Sequence, residues 1–251
     1  MFDLETQFMF PTHAVAPPGP LPRGTERVTI AGADGAQLHG VHVPPALSSS
    51  NPRTLILGFA GNAWNSEDAA SFLHNVYPDA DIVAFHYRGY RPSTGSPSAE
   101  GLIEDAPLVY DFATGRIPAE RTVAVGFSIG TGVAANLAGQ RPLDGLILVT
   151  PFDSLKAVAS GHYPFLPVGA IMRHDIDAAA ALTGNRVPTA IIAAEHDTII
   201  PPSRTEALRP AVANLVFDRT IRGAGHNDIY NRLEFRVAMD DALAAVTSAG
   251  H

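Results

Sequence analysis

The chain has 251 residues, 46% of them hydrophobic and 17% charged. That suits one large α/β domain, or at most two small ones, with a buried core, and it excludes a largely disordered chain. The formal net charge is −8 and Lys156 is the one lysine, so the chain lacks the basic surface that nucleic-acid backbones and anionic membranes require. With no cysteine, disulfides, thiolate catalysis and cysteine-ligated metals are also excluded.

The first residues, M-F-D-L-E-T-Q-F-M-F-P, carry acids where a signal peptide needs a basic segment. No stretch approaches the roughly 18 apolar residues of a membrane span. The expectation is a soluble, cytoplasmic protein with no integral membrane anchor. Phe2, Leu4, Phe8 and Phe10 are expected to pack on the body of the domain, the alternative being contact with a lipid surface. Residues 1–24 read as an extended N-terminal segment, rich in Pro and Gly from residue 11 onward. Residues 25–251 read as one domain without internal repeats.

That domain opens with E-R-V-T-I-A-G-A-D-G-A-Q-L-H-G-V-H-V, two alternating strands around an A-D-G-A turn, which predicts a hairpin. Short apolar runs then alternate with helix-like segments. The runs cover 54–59, 81–87, 122–125, 143–149, 187–194 and 215–221. Strands with so little alternation are buried on both faces, the mark of a parallel sheet covered by helices. Helices are predicted to open at Ser66, at Ser98 and just after Ser128, and a last one lies within 229–248. The fold class is α/β: a single, mostly parallel, doubly wound sheet with an N-terminal antiparallel hairpin. Residues 154–186 are longer than an ordinary connection. They build either a small lid over a pocket or an ordinary helix with a Pro-rich loop.

The strongest chemical signal is T-V-A-V-G-F-S-I-G-T-G-V-A-A-N-L-A, with Ser128 between Gly126 and Gly130. An apolar strand enters and a small-residue helix leaves, the setting of a nucleophile elbow. Side chains at the two glycines would collide with neighbouring backbone. The Ile129 N–H then points to where an oxyanion would form, at a helix N-terminus that favours negative charge. The plain alternative is a glycine-rich turn with a capping serine.

A serine hydroxyl needs a base. Of ten histidines, only His226 and His251 follow the last predicted strand, and His251 is the terminal residue. His226, in R-G-A-G-H-N-D-I-Y, is the candidate. The residue that orients it is expected at the end of the preceding strand, in A-E-H-D-T-I-I-P-P. Asp197 gives the chain order Ser–Asp–His. Its rivals are Glu195 and Asp153, the latter equally suited to cap the next helix. A second oxyanion donor is expected in L-G-F-A-G-N-A-W-N, with the Asn62 N–H as candidate and Ala60 or Ala63 as alternatives. His174, Asp175 and Asp177 are ligand-type residues that read more simply as a charge cluster at a helix start. His39 and His42 lie at odd spacing on a strand, hence on opposite faces. No metal and no nucleotide cofactor is expected, since no G-x-G-x-x-G or Walker-type lysine is present.

These motifs together resemble the α/β-hydrolase superfamily, and within it the small serine hydrolases with an F-H-G-N-A-G-N-type oxyanion loop. The resemblance runs over residues 7–243. It is carried by F-A-G-N-A-W-N, F-H-Y-R-G-Y-R-P-S-T-G-S-P-S-A-E-G-L, V-G-F-S-I-G, T-P-F-D-S-L, E-H-D-T-I-I-P-P and G-A-G-H-N-D-I-Y. It implies a triad of Ser128, Asp197 and His226, with the Asn62 and Ile129 N–H groups as the oxyanion hole. Ala60 stands where the family's loop usually has His, and the family's Y-R-G-Y-G-x-S is here Tyr87-Arg88-Gly89-Tyr90-Arg91-Pro92-Ser93, with Arg91 in place of Gly. The implied activity is cleavage of carboxylic esters or thioesters through an acyl-enzyme on Ser128, acting on a small-molecule ester or acyl substrate. The alternative is a ligand-binding protein of the same fold with slow or no turnover.

Overall fold

The computed structural model describes residues 6, 9–32, 34–47, 53–163, 165 and 172–249. The chain divides into two compact units, residues 1–124 and 125–251.

In the first unit, β1 (Glu26–Ala31) and β2 (Gln37–Val43) form the expected antiparallel hairpin, with Gly35 at φ 83° in the turn. β3 (Thr54–Phe59) pairs in parallel with β4 (Asp81–Phe85), and β4 pairs antiparallel with β2. Leu55, Ile56, Leu57, Ile82, Val83 and Ala84 are fully buried, as unalternating strands between helix layers must be. Gly40 is required by the hairpin's packing: a Cβ there would meet the Ala84 carbonyl and the Phe85 ring at 2.5 Å. Helix α1 (Ser66–Val76) starts where the Asn65 side chain accepts from the Glu67 N–H at 2.9 Å. Helix α2 (Ala99–Arg116) starts where Ser98 Oγ accepts from the Gly101 N–H at 3.0 Å, and it continues through the buried Pro107. Of the N-terminal segment, Phe10 is buried at 2% exposure, as expected, and Thr12–Ala14 forms one 3₁₀ turn. Phe2, Leu4 and Phe8 lie outside the described residues.

The second unit begins inside β5 (Arg121–Phe127) and continues through α3 (Ile129–Ala138) to β6 (Gly145–Val149). β6 pairs in parallel with β7 (Thr189–Ala194), and β7 with β8 (Leu215–Ile221). α3 is made of small residues because its partners come close: a Cβ on Gly132 would lie 2.4 Å from Ile176 Cγ2 and 3.0 Å from Phe152 Cζ. The last helix, α7, spans Leu233–Ser248. It buries Phe235, Ala238, Met239, Ala242 and Val246, a stripe at helical spacing that packs on β6, β7 and β8. The strands take the order β1-β2-β4-β3-β5-β6-β7-β8 in one eight-stranded, mostly parallel sheet, the α/β class expected from the sequence. β8 is half-exposed rather than buried, since Asp218 and Arg219 interrupt its apolar run at the sheet edge.

Residues 154–186 contain α4 (Leu155–His162) and α5 (Ala178–Leu182). An antiparallel bridge between Ser154 and Asp177 closes the base of this excursion. Tyr163 and Phe165 are exposed, at 41% and 97%. Of the span that the sequence leaves open between a lid and an ordinary helix with a Pro-rich loop, residues 164 and 166–171 lie outside the described residues. A short helix the sequence reading passed over, α6 (Pro202–Leu208), begins with proline at its first position, where the missing N–H costs nothing. Among the described residues, no helix is long and apolar enough to cross a membrane.

Candidate active site

Ser128 sits between β5 and α3 with φ 53° and ψ −119°. That conformation costs a residue with a Cβ of order 1–3 kcal/mol and persists only where its surroundings impose it. Here they do. The Ser128 N–H donates to the Val149 carbonyl at 3.0 Å, and the Thr131 N–H and hydroxyl donate to the Ser128 carbonyl at 2.9 and 2.6 Å. A Cβ on Gly126 would lie 2.4 Å from the Gly130 carbonyl oxygen and 2.7 Å from Thr131 Cα, backbone atoms that cannot give way. The strand and the helix can therefore approach this closely only with glycine at 126. Ile129 is the first residue of α3, one of the four positions whose N–H has no acceptor within a helix.

Asp197 follows β7 and His226 follows β8, and the structure brings them together. His226 Nδ1 and Asp197 Oδ2 are 2.7 Å apart, with side chains 9% and 3% exposed. The other oxygen, Asp197 Oδ1, accepts from the Ile199 and Ile200 N–H groups at 2.9 and 2.7 Å. The carboxylate is thus held by its own loop and turned toward the imidazole. An ionised carboxylate accepts only, so His226 Nδ1 carries the proton in this pair and Nε2 is left as the basic nitrogen.

The elbow and the histidine loop meet through aromatic contacts. The rings of Phe127 and Tyr230, next to Ser128 and four residues after His226, lie 6.0 Å apart at 62°. Tyr230 also packs edge-on against Phe235 at 5.5 Å. Burial, with the Asp197 charge adding to it, pushes the Tyr230 phenol well up, and a hydrogen bond with Thr150 opposes the rise. Tyr230 therefore stays neutral beside the carboxylate.

The rival carboxylates have other partners. Glu195 Oε2 accepts from the Gly223 N–H at 2.8 Å and so shapes the loop that carries His226. Asp153 Oδ2 accepts from Arg204 at 3.2 Å. The cap of α4 is Ser154, whose Oγ accepts from the Ala157 N–H, and not Asp153. Asp228 tightens the His226 loop by accepting from the Gly225 N–H and from Arg232, and these contacts hold its carboxyl below the usual range. Of the cluster read as a helix start, Asp177 caps α5 and Asp175 accepts from the Lys156 N–H. Among the described residues no group of three or more His, Asp or Glu converges as a metal site.

Asn62 belongs to the turn after β3. Its Nδ2 donates to the Met9 carbonyl at 2.6 Å, and its Oδ1 accepts from the Tyr90 hydroxyl at 2.5 Å. The Tyr87 hydroxyl donates to the Ala60 carbonyl at 2.9 Å. The sequence reading missed these two tyrosines, and it missed the amides of Ile199 and Ile200. Asp two residues ahead of an apolar pair is a turn signal that could have found the amides. The tyrosines lie within the F-H-Y-R-G-Y-R-P motif, but nothing in it marks Ala60 and Asn62 as their partners.

No protein-family model matches the chain. An uncharacterized protein of Mycobacterium tuberculosis is 33% identical over 223 residues, which cover 88% of this chain and 78% of that protein. The lysophosphatidylserine lipase ABHD12 of Danio rerio is 36% identical over 177 residues, covering 62% of this chain and 46% of the lipase, so the chain spans under half of that relative. Among solved structures, an alpha-beta hydrolase from Vibrio vulnificus aligns with a TM-score of 0.73 at 20% identity, covering 99% of this chain and 92% of that one. With the sheet order and these relatives, the chain belongs to the α/β-hydrolase family.

Proposed function

We propose that this protein is a serine hydrolase that cleaves carboxylic esters or thioesters through an acyl-enzyme on Ser128. The observation that carries the reading is the buried His226–Asp197 pair, on a loop whose Tyr230 packs against the residue next to the strained Ser128. In this reading His226 Nε2 removes the Ser128 proton as Oγ attacks the carbonyl carbon. The carbonyl π electrons move to oxygen, and the Ile129 N–H holds the oxyanion, with the Asn62 N–H as second donor. Collapse expels the alkoxide or thiolate, which takes the proton from His226. Water then repeats the sequence on the acyl-enzyme and releases the acid. Asp197 fixes the imidazole tautomer and stabilises the imidazolium formed in each half.

The proposed substrate is an ester with a short acyl chain, or with a lipid acyl chain, a reading to which the similarity to a lysophosphatidylserine lipase lends support. The test is labelling by a fluorophosphonate, followed by p-nitrophenyl esters of rising chain length and a lysophospholipid. Wild type is expected to label rapidly and to hydrolyse at least one ester, and Ser128→Ala is expected to do neither. Folded wild-type protein that does not label would overturn the reading and leave ligand binding in its place.

A further inference from the structure

A backbone N–H stabilises an oxyanion only if its direction is fixed before charge develops, and one such donor is worth about 10²–10³ in rate. At Ala60 the side chain is a methyl and can hold nothing. Besides the Met9 carbonyl and the Trp64 N–H, the polar groups that hold residues 60–62 come from residues 87–90, within the same unit. The Tyr87 hydroxyl takes the Ala60 carbonyl at 2.9 Å, and the Tyr90 hydroxyl takes Asn62 Oδ1 at 2.5 Å. The amide orientation follows from its other end. Nδ2 faces the Met9 carbonyl at 2.6 Å, an acceptor only, so Oδ1 faces Tyr90 and the phenol must donate. Among the described residues, the Asn62 N–H itself has no acceptor.

The segment bearing the tyrosines is itself rigid. Tyr87 and Tyr90 are 8% and 3% exposed, and their rings meet edge-on at 5.9 Å. Gly89 between them has φ 77°, and its N–H donates to the Thr94 carbonyl at 2.9 Å. Arg88 is clamped by Asp105 at 2.6 and 2.8 Å and by Asp34 at 3.0 Å. Burial raises both phenols, so they remain donors across the working pH range.

We propose that Tyr90 and Tyr87 are positioning residues for acyl transfer, holding residues 60–62 so that the Asn62 N–H is fixed as an oxyanion donor. The inference rests on the functional reading above. It assigns the tyrosines an effect on kcat rather than on substrate affinity, because a wandering donor fails in the transition state and not in the ground state.

The experiment compares wild type, Tyr90→Phe, Tyr87→Phe, Asn62→Ala and the Tyr90→Phe/Asn62→Ala double variant. Each is measured for kcat and KM on p-nitrophenyl butyrate, for fluorophosphonate labelling rate and for Tm. Tyr90→Phe is expected to lower kcat about tenfold with KM within about twofold. Asn62→Ala keeps the backbone donor but removes its brace, so it should lose about as much. The double variant should lose no more than the worse single, because both changes break one link. Should Tyr90→Phe fail to fold, Asn62→Ala decides the matter, since it removes the acceptor of the same hydroxyl. Active wild type with Tyr90→Phe or Asn62→Ala at full kcat overturns this inference alone. Wild type that neither labels nor turns over overturns the functional reading and this inference with it.

Discussion

The loops after β7 and β8 are held by charge, whereas the loop after β3 is held by neutral hydroxyls. In the first region Asp197 accepts two amides and an imidazole, Glu195 accepts the Gly223 N–H, and Asp228 accepts the Gly225 N–H and Arg232. In the second, Tyr87 and Tyr90 hold Ala60 and Asn62. The difference follows the charge each region would meet in the proposed reaction. A base that becomes cationic gains from a fixed carboxylate beside it, and charge-assisted hydrogen bonds hold that carboxylate in place. A donor that meets a developing anion would be opposed by a carboxylate nearby, so neutral braces are the better choice there. The segment that carries the two tyrosines also holds a buried ion pair, Arg88–Asp105. In the proposed reaction the two ion pairs would therefore carry different loads, His226–Asp197 for chemistry and Arg88–Asp105 for stability.

The comparison breaks most visibly at Asp197. In Asp197→Asn, an amide oxygen can still accept from Ile199 and Ile200, so the loop should persist. The amide nitrogen would then face His226 Nδ1 and donate to it, which moves the imidazole proton to Nε2 and removes the base. The expected loss is about 10³–10⁴ in kcat/KM, with little change in Tm. A fully active Asp197→Asn protein would show that this charge is structural and that the two regions do not differ in kind.

Asp105→Ala should do the reverse. Arg88 and Asp105 have side chains 6% and 7% exposed, and Arg88 makes two hydrogen bonds to the carboxylate. Removing Asp105 leaves the buried Arg88 charge with Asp34 at 3.0 Å and the more distant Glu104, and such losses cost about 3–5 kcal/mol. In a chain of this size that corresponds to a Tm lower by about 10 °C. The folded fraction should keep kcat to within about tenfold, because Tyr87 and Tyr90 retain their hydroxyls. Urea titration with parallel assays separates the two readouts. An unchanged unfolding midpoint would deny the pair its structural load.

Much of this organisation was legible in the sequence, and the parts that were not share a cause. Runs 54–59 and 215–221 match β3 and β8 end to end, and for β3 an unbroken apolar run bounded by polar residues marks the strand limits locally. The run 81–87 overshoots β4, which ends at Phe85. His86 and Tyr87 turn out of the strand, and the Tyr87 hydroxyl reaches back to Ala60. At the candidate site, the elbow is a local pattern of strand, Gly126, Ser128 and helix, and a sequence displays it. The brace at Asn62 is not local. Tyr90 lies 28 residues away and Met9 53 residues away, and nothing in either neighbourhood marks the pairing. Contacts between residues this far apart along the chain leave no spacing to read.

The smallest expected effect contrasts two buried histidines, each 9% exposed: His226 with its carboxylate, and His74 with Nδ1 unpartnered among the described residues. Burial alone lowers the His74 pKa from its ordinary 6.5. His86 is lowered too, chiefly by burial, with Glu67 3.7 Å away opposing the shift. Unfolded, each imidazole binds its proton near pH 6.5, whereas folded it does so only at lower pH. Between those values the unfolded chain holds more protons, so stability is full above 6.5 and falls as pH drops toward the folded value. Unfolding midpoints measured from pH 7.5 to pH 5 should therefore decline. In His74→Gln, which cannot take up that proton, the decline should be shallower, while the pH profile of the proposed ester hydrolysis should keep its shape because His226 is untouched. An equal decline in wild type and variant would mean that His74 meets solvent or a partner in the folded chain, and the contrast between the two histidines would fall.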